Sequence, residues 1–148
     1  MDEHEKYMRA ALKYAAKAAK KDEAPVGAVI VKNGRIIAAG FNSRESKRDP
    51  LGHAEIAAIR KASKRLRGWR LIGCTIYVTL EPCPMCAGAI INSRIDEVVY
   101  GAADPKAGAF GSVYDLAEGR LNHTPKITGG VLAGECAKLL SAYFRSKR

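Results

Sequence analysis

Two short stretches of the chain combine residue types that bind metals: His53-Ala54-Glu55 and Pro82-Cys83-Pro84-Met85-Cys86. Each stands where a helix is predicted to begin. Side chains in a first turn lean back toward the helix N-terminus, so they can converge on an object just beyond the helix end. Deeper in a helix, residues two apart diverge by about 200°, so His53 and Glu55 can share a site only at a helix start. Cys83 and Cys86, three apart, can present two sulfurs to one ion at the roughly 2.3 Å typical of zinc and thiolate. With His53 as third ligand, the fourth tetrahedral position stays open to water, the arrangement of a catalytic rather than a structural zinc. Glu55 is then free to act as a base. Two thiolates soften the charge of the ion, so it acidifies water less than an all-histidine site does. Two helix N-termini aimed at the site and the Glu55 carboxylate supply the rest.

Each residue also has a plainer reading by itself. His53 alone is a satisfied polar residue, Cys-x-x-Cys alone a redox pair or half of a structural zinc site, and Glu55 alone a partner of the helix dipole. It is the ordered combination of H-A-E and P-C-x-x-C on two helix starts that is specific. Cys74 and Cys136 lie outside it and read as buried core thiols. His4, in a solvated helix start, and His123, in a polar loop, are assigned to no metal.

The elements that position these residues follow from hydrophobic period. Tyr7, Ala11, Leu12, Ala15 and Ala18 form one stripe of an amphipathic helix over Glu3–Lys20. Val26–Val31 and Ile36–Phe41 flank Asn33-Gly34, a dipeptide suited to a tight antiparallel hairpin. A polar loop, Asn42–Gly52, leads to a helix predicted to start between Asp49 and His53 and to run to about Leu66. Thr75–Leu80 is a buried strand stopped by Glu81-Pro82, and a short helix starts at Pro84. Downstream the pattern predicts a strand at Glu97–Gly101, a weak helix near Val113–Glu118, a strand at Ile127–Leu132 and a last helix over Glu135–Arg145. Strands alternating with helices after an opening hairpin imply an α/β fold, a mixed sheet with helices on its faces.

A chain of 148 residues suits one domain spanning 1–148. Its 47% hydrophobic and 27% charged residues are those of a globular protein and exclude a disordered one. No apolar run approaches the roughly 20 residues a membrane helix needs, and the acidic start is unlike a secretory signal. The expectation is therefore a cytoplasmic protein with reduced cysteines and no membrane partner. A net charge of +10 would attract polyanions such as RNA, or merely solvate the surface.

The paired motifs match the signature H-x-E…P-C-x-x-C known for zinc nucleobase deaminases. Beyond them, PVGAVIV, GFNSR, DPLGHAEI, TLEPCPMCAGAI and LLSAYFR make the chain similar to the bacterial tRNA adenosine deaminase family along nearly its whole length. That resemblance implies a three-layer α/β/α cytidine-deaminase-like fold with a mixed central sheet, a homodimer, and one Zn2+ per subunit on His53, Cys83 and Cys86. It implies hydrolysis of adenosine to inosine at the wobble position of a tRNA anticodon stem-loop. Zinc hydroxide would attack C6 of the adenine, and Glu55 would pass protons to N1 and the leaving amine.

By the same resemblance Asn42 hydrogen-bonds the flipped base, Val26 and Ala54 lie at the substrate, and Phe144 packs near the bound loop. Asn42 as a turn residue and Phe144 as an anchor of the last helix stay open. Arg44, Lys47 and Arg48 before the catalytic helix, with Arg145, Lys147 and Arg148 at the chain end, are candidate phosphate contacts. Two rival readings share the motifs. One is a deaminase of free guanine, cytidine, deoxycytidylate or a pterin-like precursor, which has no evident need for so basic a surface. The other is a non-enzymatic RNA-binding module whose zinc is structural and closed by four ligands.

Overall fold

The computed structural model describes residues 2–147. In chain order the elements are α1 (Glu3–Lys20), β1 (Gly27–Lys32), β2 (Arg35–Phe41), α2 (Ala54–Leu66), β3 (Cys74–Leu80), α3 (Pro84–Asn92), β4 (Glu97–Ala102), β5 (Lys126–Thr128) and α4 (Ala133–Ser146). The five strands form one sheet in the order β2-β1-β3-β4-β5. β1 runs antiparallel to both β2 and β3, whereas β3, β4 and β5 are mutually parallel, so the sheet is mixed as expected.

Period-two alternation decides which helices cover which face. Ala28, Ile30, Ile76, Val78 and Val98 point to the side covered by α2 and α3, where they meet Ala54, Ala58, Ala62, Ala87 and Ile90. Val29, Val31, Tyr77 and Val99 point to the opposite side and pack against Tyr7, Met8 and Ala11 of α1 and Cys136 of α4. Three layers result, helices on both faces of a sheet whose central strands are buried on both sides. Among the described residues no helix is long and apolar enough to cross a membrane.

The hairpin forms at the expected place, with Asn33 and Gly34 both at positive φ, 52° and 72°. α1 has the expected limits, and Asp2 caps it by accepting from the His4 amide at 2.7 Å. α2 starts at Ala54, one residue later than the predicted window, because His53 stays extended. Two expectations fail downstream. No helix forms over Val113–Glu118: the Val113 and Tyr114 amides both donate to the Gly108 carbonyl, and Gly111 donates to the Tyr114 carbonyl, so the segment folds as a knot of turns. The strand expected over Ile127–Leu132 is only Lys126–Thr128, because Gly129-Gly130 ends it and Gly130 takes φ 83°.

Candidate active site

Strand directions bring four separate segments to one edge of the sheet. β2 and β3 both oppose β1, so Asn42 after β2 and Glu81–Cys83 after β3 emerge beside Val26, which precedes β1. β4 is parallel to β3 and delivers residues 103–107 there too. The N-termini of α2 and α3 open at this edge, adding the partial positive charge of two helix ends.

His53 and Cys83 are the N-cap residues of α2 and α3, both in extended conformation, and neither side chain caps its own helix. An uncommitted N-cap side chain points outward, and here both point at the same spot. The His53 Nδ1 lies 3.7 Å from the Cys83 Sγ and 3.5 Å from the Cys86 Sγ. All three donor atoms lie within 4.8 Å of one another. A tetrahedral ion with bonds of about 2.1 Å to nitrogen and 2.3 Å to sulfur requires nitrogen and sulfur about 3.6 Å apart. The two nitrogen–sulfur separations therefore suit zinc. Among the described residues no other group of three such side chains converges.

Glu55, the second residue of α2, is buried, and burial pushes its carboxyl up to about 7. A carboxyl at that value can take and return a proton near neutral pH. The hydrogen bond between the cysteines holds Cys83 down at about 4 and pushes Cys86 up. Contact with Cys83 in turn raises His53. The cluster thus already favours a thiolate.

A cavity of about 610 Å³ opens over these groups. Val26, Asn42, Arg44, His53, Glu55, Cys83 and Phe144 all line it, while Cys86 lies fully buried behind. Ala54 is buried and reaches the site through its backbone, donating its amide to Asn42 Oδ1 at 2.9 Å. Asn42 therefore fastens the start of the catalytic helix while its side-chain amide remains able to donate. Phe144 is half exposed at the cavity mouth, stacked edge-on against Tyr143.

Of the basic residues singled out from sequence, only Arg44 reaches the cavity wall; Lys47 and Arg48 are exposed on the same loop. Arg145 is exposed on α4, Lys147 pairs with Asp22, and Arg148 lies outside the described residues. Sequence reasoning missed the wall formed by Asp104, Pro105, Lys106 and Ala107, together with Leu140 and Ser141 of α4. It also missed Glu81, although a charged residue ending a buried strand just before the cysteine motif was a usable signal. Cys74 and Cys136 are buried in the core, and His123 stands apart from the donor cluster, its Nε2 2.7 Å from the Ile95 carbonyl.

Residues 1–102 match the family model of the cytidine and deoxycytidylate deaminase zinc-binding region. The tRNA-specific adenosine deaminase of Bacillus subtilis (strain 168) is 51% identical, over 100% of this chain and 92% of its own length. A solved structure from a study of A-to-I editing by tRNA:A34 deaminases at the wobble position superposes with TM-score 0.87 at 44% identity, covering 91% of this chain and 99% of that one. The guanine deaminase of Nitrosomonas europaea shares the fold at TM-score 0.79 and 27% identity, over 94% and 83% of the two chains.

Proposed function

This chain belongs to the family of zinc-binding cytidine and deoxycytidylate deaminases, and from that premise we propose that it hydrolyses adenosine to inosine at the wobble position of tRNA. The observation that carries the reaction class is the three-donor cluster with Glu55 beside it at the floor of a cavity. Likeness to transfer RNA deaminases over the full chain supports the substrate, where the guanine deaminase shares the fold at much lower identity. The net charge of +10 also suits an RNA better than a small neutral base.

Zinc is the cofactor, and His53, Cys83 and Cys86 would hold it; bound there it would supply a Lewis acid that makes water nucleophilic near neutral pH. Glu55 would take a proton from the attacking water and give it to N1 of the adenine, then carry the proton of the new C6 hydroxyl to the amine, which leaves as ammonia. Asn42, tied through Oδ1 to the Ala54 amide, turns its Nδ2 donor toward the purine. Val26 packs against the flipped base, and Ala54 shapes the site through its fixed amide. Phe144, beside Leu140 at the mouth, offers a face to an unstacked neighbouring nucleotide. Arg44, Lys47, Arg48, Arg145 and Lys147 contact phosphates.

The chain acts as one deaminase domain in the cytoplasm and pairs with a second copy. Support for pairing is the surface between α2 and α3, a hollow of about 490 Å³ lined by Ile59, Ser63, Trp69, Ala89, Asn92 and Ser93. Trp69 is half exposed beside α3, a helix without a single charge. Sedimentation of the parent and of Trp69→Glu tests this: a dimer that becomes a monomer is expected, and a parent monomer refutes it.

The substrate is tested by mass analysis of a synthetic anticodon stem-loop after incubation, beside free adenosine, guanine and cytidine. Inosine at the wobble position of the stem-loop alone is expected. Release of ammonia from a free base instead would overturn the reading.

A further inference from the structure

The Glu81 carboxylate plays no part in the chemistry above, yet it is 1% exposed and bound by one loop from four directions. Its Oε1 accepts from the Asp104 amide at 3.0 Å and from the Ser112 hydroxyl. Its Oε2 accepts from the amides of Phe110 at 3.0 Å and Ser112 at 3.1 Å. The backbone on either side adds two more ties: the Glu81 amide donates to the Ala102 carbonyl, and the Pro82 carbonyl accepts from the Ala109 amide, each at 2.8 Å. The loop held this way is the one that supplies Asp104, Pro105, Lys106 and Ala107 to the cavity wall. Two residues further along the chain stands Cys83.

We propose that Glu81 is a positioning residue that fixes the loop of residues 103–112 to the Cys83 turn and so sets the wall against which the substrate nucleotide binds. The inference rests on the deaminase reading for its substrate. A carboxylate is the side chain suited to this post, because it accepts at several lone pairs and donates none. Glutamine keeps the shape but turns an NH2 group on at least one of the four donors. The loop has no helix or strand of its own, so its path depends on these bonds. The loop wall would contact bound substrate, while His53, Cys86 and Glu55 are carried by α2 and α3, which pack on the sheet through Ala54, Ala58, Ala87 and Ile90. Losing the wall therefore weakens binding of substrate and transition state alike, which raises KM and leaves kcat nearly constant.

Gly108 gives an independent handle on the same contact. A Cβ built there would overlap the Glu81 carboxylate, which cannot swing aside without abandoning its donors. Glu81→Gln, Gly108→Ala and the milder Ser112→Ala are each compared with the parent holoenzyme for zinc content, thermal midpoint, and kcat and KM on an anticodon stem-loop. The expected result is a KM raised roughly tenfold by Glu81→Gln and Gly108→Ala and a few-fold by Ser112→Ala, the scale of one or two lost hydrogen bonds. The kcat and one zinc per chain are expected to persist. Combining Glu81→Gln with Gly108→Ala should be no worse than the more severe single change, because both dismantle one contact. Loss of zinc, a fall in kcat at constant KM, fully additive effects, or a lowered midpoint with unchanged KM would each overturn the proposal. Should Glu81→Gln fail to fold, KM and kcat of the other two variants decide the question by the same criteria. A parent protein inactive on the stem-loop would instead refute the transfer RNA substrate on which the proposal rests, so the two failures are distinct.

Discussion

His53 and Cys83 occupy equivalent posts on two different helices, each the extended N-cap residue of its helix and each leaving that helix uncapped, with Nδ1 and Sγ 3.7 Å apart. Side chains at this position ordinarily accept from a backbone amide and stabilise their own helix. Here both are released from that duty. The work passes for α2 to Asn42, which accepts from the Ala54 amide from outside the helix.

The first consequence concerns Glu55. It is buried beside the donor cluster without being one of the three donors, so Glu55→Ala should leave zinc content and fold intact. Its kcat should fall by about 10²- to 10⁴-fold, the usual contribution of a general acid and base. Single-turnover assays on the stem-loop, with metal analysis of the same sample, check both. Retained turnover would remove Glu55 from its catalytic role.

Removing the metal is predicted to be reversible. Because each of the three donors is presented by a helix start packed on the sheet, chelation should abolish deamination and lower the thermal midpoint without unfolding the chain at room temperature. Adding back one equivalent of zinc should restore activity. Cys86→Ala, which deletes the most buried donor, should bind no stoichiometric zinc at all.

A pH dependence follows from Glu23, which is buried near the end of α1 and accepts from the Ser46 amide at 2.6 Å and the Glu45 amide at 3.1 Å. Burial raises its carboxyl, but the two amides and the nearby Arg44 outweigh that and hold it below the ordinary value of 4.5. A depressed folded-state value means the unfolded chain binds the proton more readily. The stabilisation is therefore present above about pH 4.5 and is lost as pH falls through the folded-state value. Glu23→Gln should cost about 1–3 kcal/mol at pH 7, the usual penalty for spoiling a buried hydrogen-bonded group. Its deficit against the parent should shrink in acid, as chemical denaturation across pH would report.

The basic loop that Glu23 anchors has its own signature. Arg44 lines the cavity, and Lys47 and Arg48 are exposed on the same loop. Changing all three to Gln should weaken stem-loop binding and reduce the slope of log affinity against log salt by about 2, at roughly 0.7 per single-strand phosphate contact. An unchanged slope would remove this loop from the RNA interface. Replacing Arg145 and Lys147 is expected to change the slope less, since Lys147 is already paired with Asp22.

Much of the fold was readable because its signals are local. The α1 stripe, the Asn33-Gly34 turn and the apolar run of β3 each depend on neighbours within a few residues, and each element stands where the pattern placed it. The helix expected over Val113–Glu118 fails for a non-local cause. Those residues have helical periodicity, but Glu81 captures the Phe110 and Ser112 amides just before them from a different part of the chain, and in the turns that follow the Val113 and Tyr114 amides donate to the Gly108 carbonyl.

From residue types and spacing alone came the three donors, the carboxylate beside them and the requirement that all lie at helix starts, since ligand chemistry and helical geometry are properties of short segments. Only the tertiary structure decided that β2, β3 and β4 end at the same sheet edge. Only it showed that Asn42 holds the first amide of α2 and that Glu81 binds the far loop into the cavity wall. Those relationships join residues 12 to 31 positions apart, and a contact across such a distance is set by strand order and register, which no local pattern encodes.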